Sequence, residues 1–122
     1  MPTNFALIQA FHQRFDPVNE HGEALESLLT RRMAYITEEV REAAAATEAL
    51  RTNPTNPQAK ANLAKELTDI LHVTYGYLHL LNIDADAAFA EVHRSNMSKT
   101  PNPQGKAIKG ETYTPANMEK FV

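Results

Sequence analysis

The chain has 122 residues, 43% hydrophobic and 22% charged, which fits one folded domain with a single core and leaves no room for a second catalytic domain. It contains no cysteine, so disulfides, thiolate metal sites and cysteine nucleophiles are excluded. The net charge of -3 is unevenly spread: residues 1–93 carry seven Lys/Arg against thirteen Asp/Glu, and residues 94–122 five against two. Duplex DNA is an awkward partner for so acidic a body, whereas a small polyanion held through metal ions and a few lysines suits both parts.

Phe5, Ile8, Phe11, His12 and Phe15 recur at helical spacing, with Thr3 or Asn4 as cap and Pro17 as stop. The N-terminal stretch lacks a basic segment followed by an apolar run, and nowhere do about 18 apolar residues follow one another, so no membrane span and a cytoplasmic location are expected. After the loop "DPVNEHG", a long helical pattern runs from about Glu23 to Arg51, with Leu25, Leu29, Met33, Ile36, Val40, Ala43, Thr47 and Leu50 on one stripe. It ends at "TNPTNP". Asn56 as N-cap and Pro57 at the first helical position start a third helix, on which Leu63, Leu67, Ile70, Leu71, Thr74, Leu78 and Leu81 align. Asp84 caps a fourth helix through about Asn96, and the remaining residues, with three prolines and two glycines, read as irregular chain.

The expected fold is all-α, a four-helix bundle in which two long antiparallel helices are joined by a short connection. The expected domain is 1–122, with a helical body over about 3–96 and an irregular basic tail over about 97–122. Leu28, Tyr35, Ala46, Val73 and Tyr77 widen the apolar stripes beyond what one facing helix covers. A second copy of the chain or the two shorter helices can bury the excess.

The acids of "TEEVREA" stand out against this frame. At about 100° per residue, with Ile36 at zero, Glu39 lies at the border of the stripe and Glu42 and Glu38 step outward on the same side. In "KELTDILH", Glu66 lies at the border of the third helix's stripe and Asp69 further around. Antiparallel packing can bring the two edges together. Like charges three or four residues apart oppose helix formation by about 0.2–0.5 kcal/mol per pair, so the arrangement calls for something positive. Hard divalent cations are the natural partners of all-oxygen donors. Either motif taken alone equally fits a solvated helix face, with Arg41 and Lys65 as local partners.

"EEVRE" followed by "ELTD" resembles the ExxE and ExxD signature of the MazG-like all-α nucleoside triphosphate pyrophosphohydrolases, a superfamily that includes dimeric dUTPases and phosphoribosyl-ATP pyrophosphohydrolases. "FHQRF", "RRMAYITEEV", "EVHRSNMSK" and "GKAIKGETYTP" are similar to stretches of its small single-domain members. The resemblance implies hydrolysis of a nucleoside triphosphate between the α and β phosphates, with Mg²⁺, or Mn²⁺ in its place, held by Glu39, Glu42, Glu66 and Asp69. It further implies that Glu38 orients or deprotonates the attacking water, that Asn96 and Lys99 contact phosphates and that His12 lies at a nucleobase pocket; Lys106 and Lys109 are expected to join the phosphate contacts, and the wide apolar stripes lead to the expectation of a homodimer or tetramer. A deoxynucleotide such as dUTP or dCTP is the expectation by analogy.

Other features carry less. Tyr77 and Tyr113 suit stacking on a base or ordinary packing, and Lys106 and Lys109 also fit a frayed basic tail. His72 and His79 fall away from the leucines of the third helix, and mid-helix Gly76 suggests close approach of a neighbour. Arg31 and Arg32 precede the acids by about two turns, where one can brace a carboxylate. Asp69 and His72 form a single D-x-x-H, half of what a carboxylate-bridged di-iron or di-manganese bundle requires. A non-catalytic helical oligomer or adaptor, its acids meeting a basic partner, is the other alternative.

Overall fold

The computed structural model describes residues 1–16 and 20–122, and Pro17 lies outside the described residues. Within them the chain forms α1 (Asn4–Arg14), α2 (Leu25–Thr52), α3 (Pro57–Leu80) and α4 (Ala85–Met97), an all-α bundle. No described helix is long and apolar enough to cross a membrane.

Local chemistry sets the helix ends. Thr3 accepts a hydrogen bond from the Ala6 N–H, Asn56 from Gln58 and Asp84 from Ala87, each relieving an amide that has no partner within its helix. At the other end of α3, Asn82 takes a left-handed φ of 59°, the Ile83 N–H donates to Leu78 O and the Asn82 N–H to His79 O. This pair of bonds closes off the last carbonyls and turns the chain towards α4.

α2 and α3 form the main packing pair. Glu42 meets Glu66, and ten residues earlier on α2 Arg32 meets Gly76, ten residues later on α3, which fixes an antiparallel register. Their mutual face differs from the expected stripes. The buried residues of α2 are Leu28, Arg32, Ala43 and Ala46, a side rotated by about 60° from the expected stripe. Val40 is 48% exposed and Leu67 and Leu71 on α3 are 50% and 54% exposed. The small residues Ala43 and Ala46 are buried on this side of α2, and the larger residues of the expected stripe are turned aside.

The shorter helices cover two other sides of α3. Phe5 of α1 packs against Tyr75 and His79, and Phe11 against His72, so these histidines face α1. α4 buries Ala85 and Ala88, and Asp86 accepts a hydrogen bond from the Thr3 hydroxyl at 2.8 Å, tying α4 to the start of α1. The tail is irregular apart from a minimal hairpin, β1 (Thr100–Pro101) and β2 (Ala107–Ile108), and a 3-10 turn at Glu119–Phe121. Arg94 and Ser95 hold it to α4 through hydrogen bonds to Thr114 and Pro115, and Glu91 pairs with Lys120 at 3.2 Å.

Candidate functional site

Successive turns of α2 present Glu39 and Glu42, and α3 presents Glu66. One carboxylate oxygen of each lies within 4.8 Å of the other two. Glu39 Oε2 and Glu66 Oε2 are buried and, among the described residues, have no hydrogen-bond partner. A buried carboxylate oxygen left without a donor is costly, and two of them facing a third carboxylate compound the cost by repulsion. The strain registers on Glu42, whose proton affinity is raised above the ordinary carboxylate value. Hydrogen bonding with Glu66 is the largest cause, followed by the charge of Glu39.

Among the described residues, Lys65 is the cation ion-paired with a member of the cluster. Its Nζ lies 2.7 Å from Asp69 Oδ2 and 3.7 Å from Glu66 Oε1, and these contacts, the Asp69 hydrogen bond first, raise its pKa. Lys65 thus engages Asp69 on the outer side of the seam, and Asp69 is not among the three clustered carboxylates. Its side chain is 34% exposed, against 12% for Glu66. Glu38 is exposed, with no side-chain bond among the described residues.

Further along the same seam is a cavity of about 280 Å³ lined by Phe11, His12, Phe15, Glu20, Arg32, Tyr35, His72 and Val73. Tyr35 is four residues from Glu39 and His72 is six from Glu66, so about 6 Å of helix axis on α2 and about 9 Å on α3 separate the cavity from the clustered acids. Its polar wall is a buried ion pair. Arg32 donates from Nε to Glu20 Oε2 at 2.9 Å and from Nη2 to Glu20 Oε1 at 2.5 Å, a two-pronged contact that fixes the guanidinium plane. Asp16 Oδ1 accepts from the Glu20 N–H, and Arg31 engages Glu23 and, at 3.6 Å, Glu20. The Arg32 guanidinium also lies 5.1 Å from the Tyr35 ring centre. Neither arginine therefore braces the acid cluster. The loop acids Glu20 and Glu23 take both, a pairing across a turn that no helical spacing reveals.

The remaining expected site residues are dispersed. His12 is buried beside the cavity, its ring 5.6 Å from Phe11 and 5.0 Å from His79. Asn96 is exposed near the end of α4, Lys99 is half-buried just beyond it, and Lys106 and Lys109 are exposed on the tail. Lys109 Nζ lies 5.3 Å from the Tyr113 ring. Among the described residues no hydrogen bond or ion pair joins these four to the carboxylates. Glu20 enters the cavity wall without having stood out in the sequence, and Phe15 and Tyr35, read there only as apolar positions, enter it too. The one local signal was the aromatic spacing of Phe11 and Phe15.

The family model described as phosphoribosyl-ATP pyrophosphohydrolase matches residues 8–96, a span that includes His12, both acid-bearing helices and Asn96 and leaves out the basic tail. Among curated proteins no match is found. With a match over well more than half of its length and acids converging from two antiparallel helices, the chain belongs to the phosphoribosyl-ATP pyrophosphohydrolase family, within the MazG-like superfamily of nucleotide pyrophosphohydrolases.

Proposed function

We propose that the chain is a Mg²⁺-dependent hydrolase that cleaves a nucleoside triphosphate between its α and β phosphates, giving a monophosphate and pyrophosphate. The observation that carries this reading is the pair of buried, unpartnered oxygens on Glu39 and Glu66 beside Glu42. An all-oxygen, multiply anionic donor set fits Mg²⁺ or Mn²⁺ and does not suit a softer metal. Glu39, Glu42 and Glu66 would hold the cation, and Asp69, one turn on from Glu66, would join them by exchanging its contact with Lys65. When bound, the cation supplies positive charge against phosphoryl oxygens and lowers the pKa of water.

The chain's own groups do the rest. Glu38, next in sequence to Glu39 and exposed, accepts the proton of the attacking water. The aromatic cavity receives the base, with His12 on its wall, and the seam directs the phosphates from there towards the acids. Asn96, Lys99, Lys106 and Lys109 supply donors for the phosphates. A volume of about 280 Å³ sits just below the 300–1,000 Å³ usual for ligand pockets and suits one base with part of its sugar. We further infer that the whole chain acts as one domain in the cytoplasm, as a homodimer whose second copy covers the exposed Val40, Leu67 and Leu71.

The test is a pyrophosphate-release screen over common and damaged nucleoside triphosphates, dUTP, dCTP and phosphoribosyl-ATP, with Mg²⁺ and with Mn²⁺. Activity on at least one nucleotide, lost on chelation and in Glu39→Gln, supports the reading; equal activity of wild type and that variant rejects the assignment. Light scattering reports the dimer.

A further inference from the structure

Gly76 stands in the middle of a regular α-helix, where glycine is among the poorest formers, and its φ is not left-handed. Backbone freedom therefore does not explain it. A Cβ built on Gly76 would sit 2.9 Å from His12 Nε2, 3.0 Å from Arg32 Nη1 and 3.6 Å from His12 Cε1. The close neighbours are side-chain atoms, so the glycine does not serve close contact between helix backbones.

Side-chain ends usually move aside cheaply, but these two are held. Both residues are 6% exposed. Arg32 is locked by its fork to Glu20, and His12 is enclosed by the rings of Phe11 and His79. Both line the cavity, so displacement by a methyl group moves either the imidazole or the guanidinium into the space it borders. We infer that Gly76 is a positioning residue for base recognition: the missing side chain lets His12 and Arg32 meet over α3 and so sets the shape of the base pocket. This rests on the nucleotide reading above, and it adds a specificity determinant that never touches the substrate.

The experiment compares Gly76→Ala with wild type on the best nucleoside triphosphate and on inorganic triphosphate, which has the phosphates without the base. The expected result is a KM for the nucleotide raised about tenfold or more, kcat lowered less than about threefold, and a KM for inorganic triphosphate unchanged. A nucleotide KM equal to wild type overturns the inference, as does an equal rise for both substrates, which would mark general loosening of the site. If Gly76→Ala does not fold, imidazole NMR of the wild-type protein decides. His12 ring signals that shift with the nucleotide and not with inorganic triphosphate support the inference; signals that ignore the nucleotide overturn it. Wild type inactive on every nucleotide sinks the functional reading itself, whereas an active wild type with an indifferent Gly76→Ala sinks only this inference.

Discussion

Replacing Glu39 with glutamine removes one charge from the cluster while keeping side-chain shape, and the consequences for stability and for binding have opposite signs. Glu39 and Glu66 approach within 4.8 Å, a separation at which two like charges repel by about 1 kcal/mol at the dielectric constant of water and about 3.5 kcal/mol at an effective value near 20. Glu39 is only half-buried, so the lower figure is the better guide. The glutamine amide can also donate to the orphaned Glu66 Oε2. In chelator and without metal, Glu39→Gln should be more stable than wild type by about 1 kcal/mol, a rise in Tm of roughly 3–6 °C for a chain of this size. With Mg²⁺ the order reverses. At about one hundred times its dissociation constant the ion stabilises wild type by about 2.7 kcal/mol, and the variant, lacking a ligand, should gain little. Differential scanning calorimetry with and without Mg²⁺ measures both effects. A variant that melts below wild type in chelator and still shows the full Mg²⁺ shift would refute the reasoning, because the acids would then be neither repelling one another nor holding the ion.

Glu38→Gln should keep the Mg²⁺-induced rise in Tm and lose about a hundredfold or more in kcat for pyrophosphate release, separating proton transfer from metal retention. Glu91 tests the clasp between α4 and the tail. The Arg94 hydrogen bond, reinforced by Lys120 and the Asn117 backbone, lowers its pKa from 4.5 to about 2. A lowered carboxylate contributes stability that is complete above its unfolded value and is lost as pH falls towards the folded one. The acid limb of Tm against pH should therefore be steeper between pH 4.5 and 2 in wild type than in Glu91→Gln. Asn56→Ala, which removes the α3 cap, should cost about 1 kcal/mol in denaturant midpoint analysis with little effect on the Mg²⁺ shift.

How far the sequence discloses this molecule depends on the range of the interactions involved. Caps act over three residues, so Asn56 and Asp84 could be read directly and the first cap narrowed to Thr3 or Asn4, and with them the start of each helix they cap. The proximity of Glu39, Glu42 and Glu66 follows from the 3.6-residue period and one short connection. The rotation of the α2 face does not. It depends on which residues are small enough to let two helices close, and the leucine stripes, larger in number, pointed elsewhere. The Arg32–Glu20 pair is illegible for another reason: its partner lies on a 3-10 turn whose path no periodicity specifies. Asp69 lies between these cases. Its helical position was clear, but an i, i+4 lysine competes for its carboxylate, and geometry alone does not announce which contact prevails.

That competition bears on where the positive charge at the seam can come from. α2 carries four arginines within eleven positions of Glu42; Arg31 and Arg32 are committed to Glu20 and Glu23, and Arg51 to Glu48. Arg41 makes no ion pair among the described residues, and Lys65 extends towards Asp69 from the solvent side, 66% exposed, with only a 3.7 Å contact to Glu66. Among the described residues, then, no cationic side chain is ion-paired with Glu39 or Glu42. Folding brings the carboxylates together without supplying their counter-charge, and the raised pKa of Glu42 reflects its crowding by Glu66 and Glu39. A core of this size could have closed over alanines at these positions at lower cost. On the proposed reading the remaining charge is supplied by a cation from solution, and the loop ion pairs leave room for it by holding Arg32 at the cavity and both arginines off the cluster.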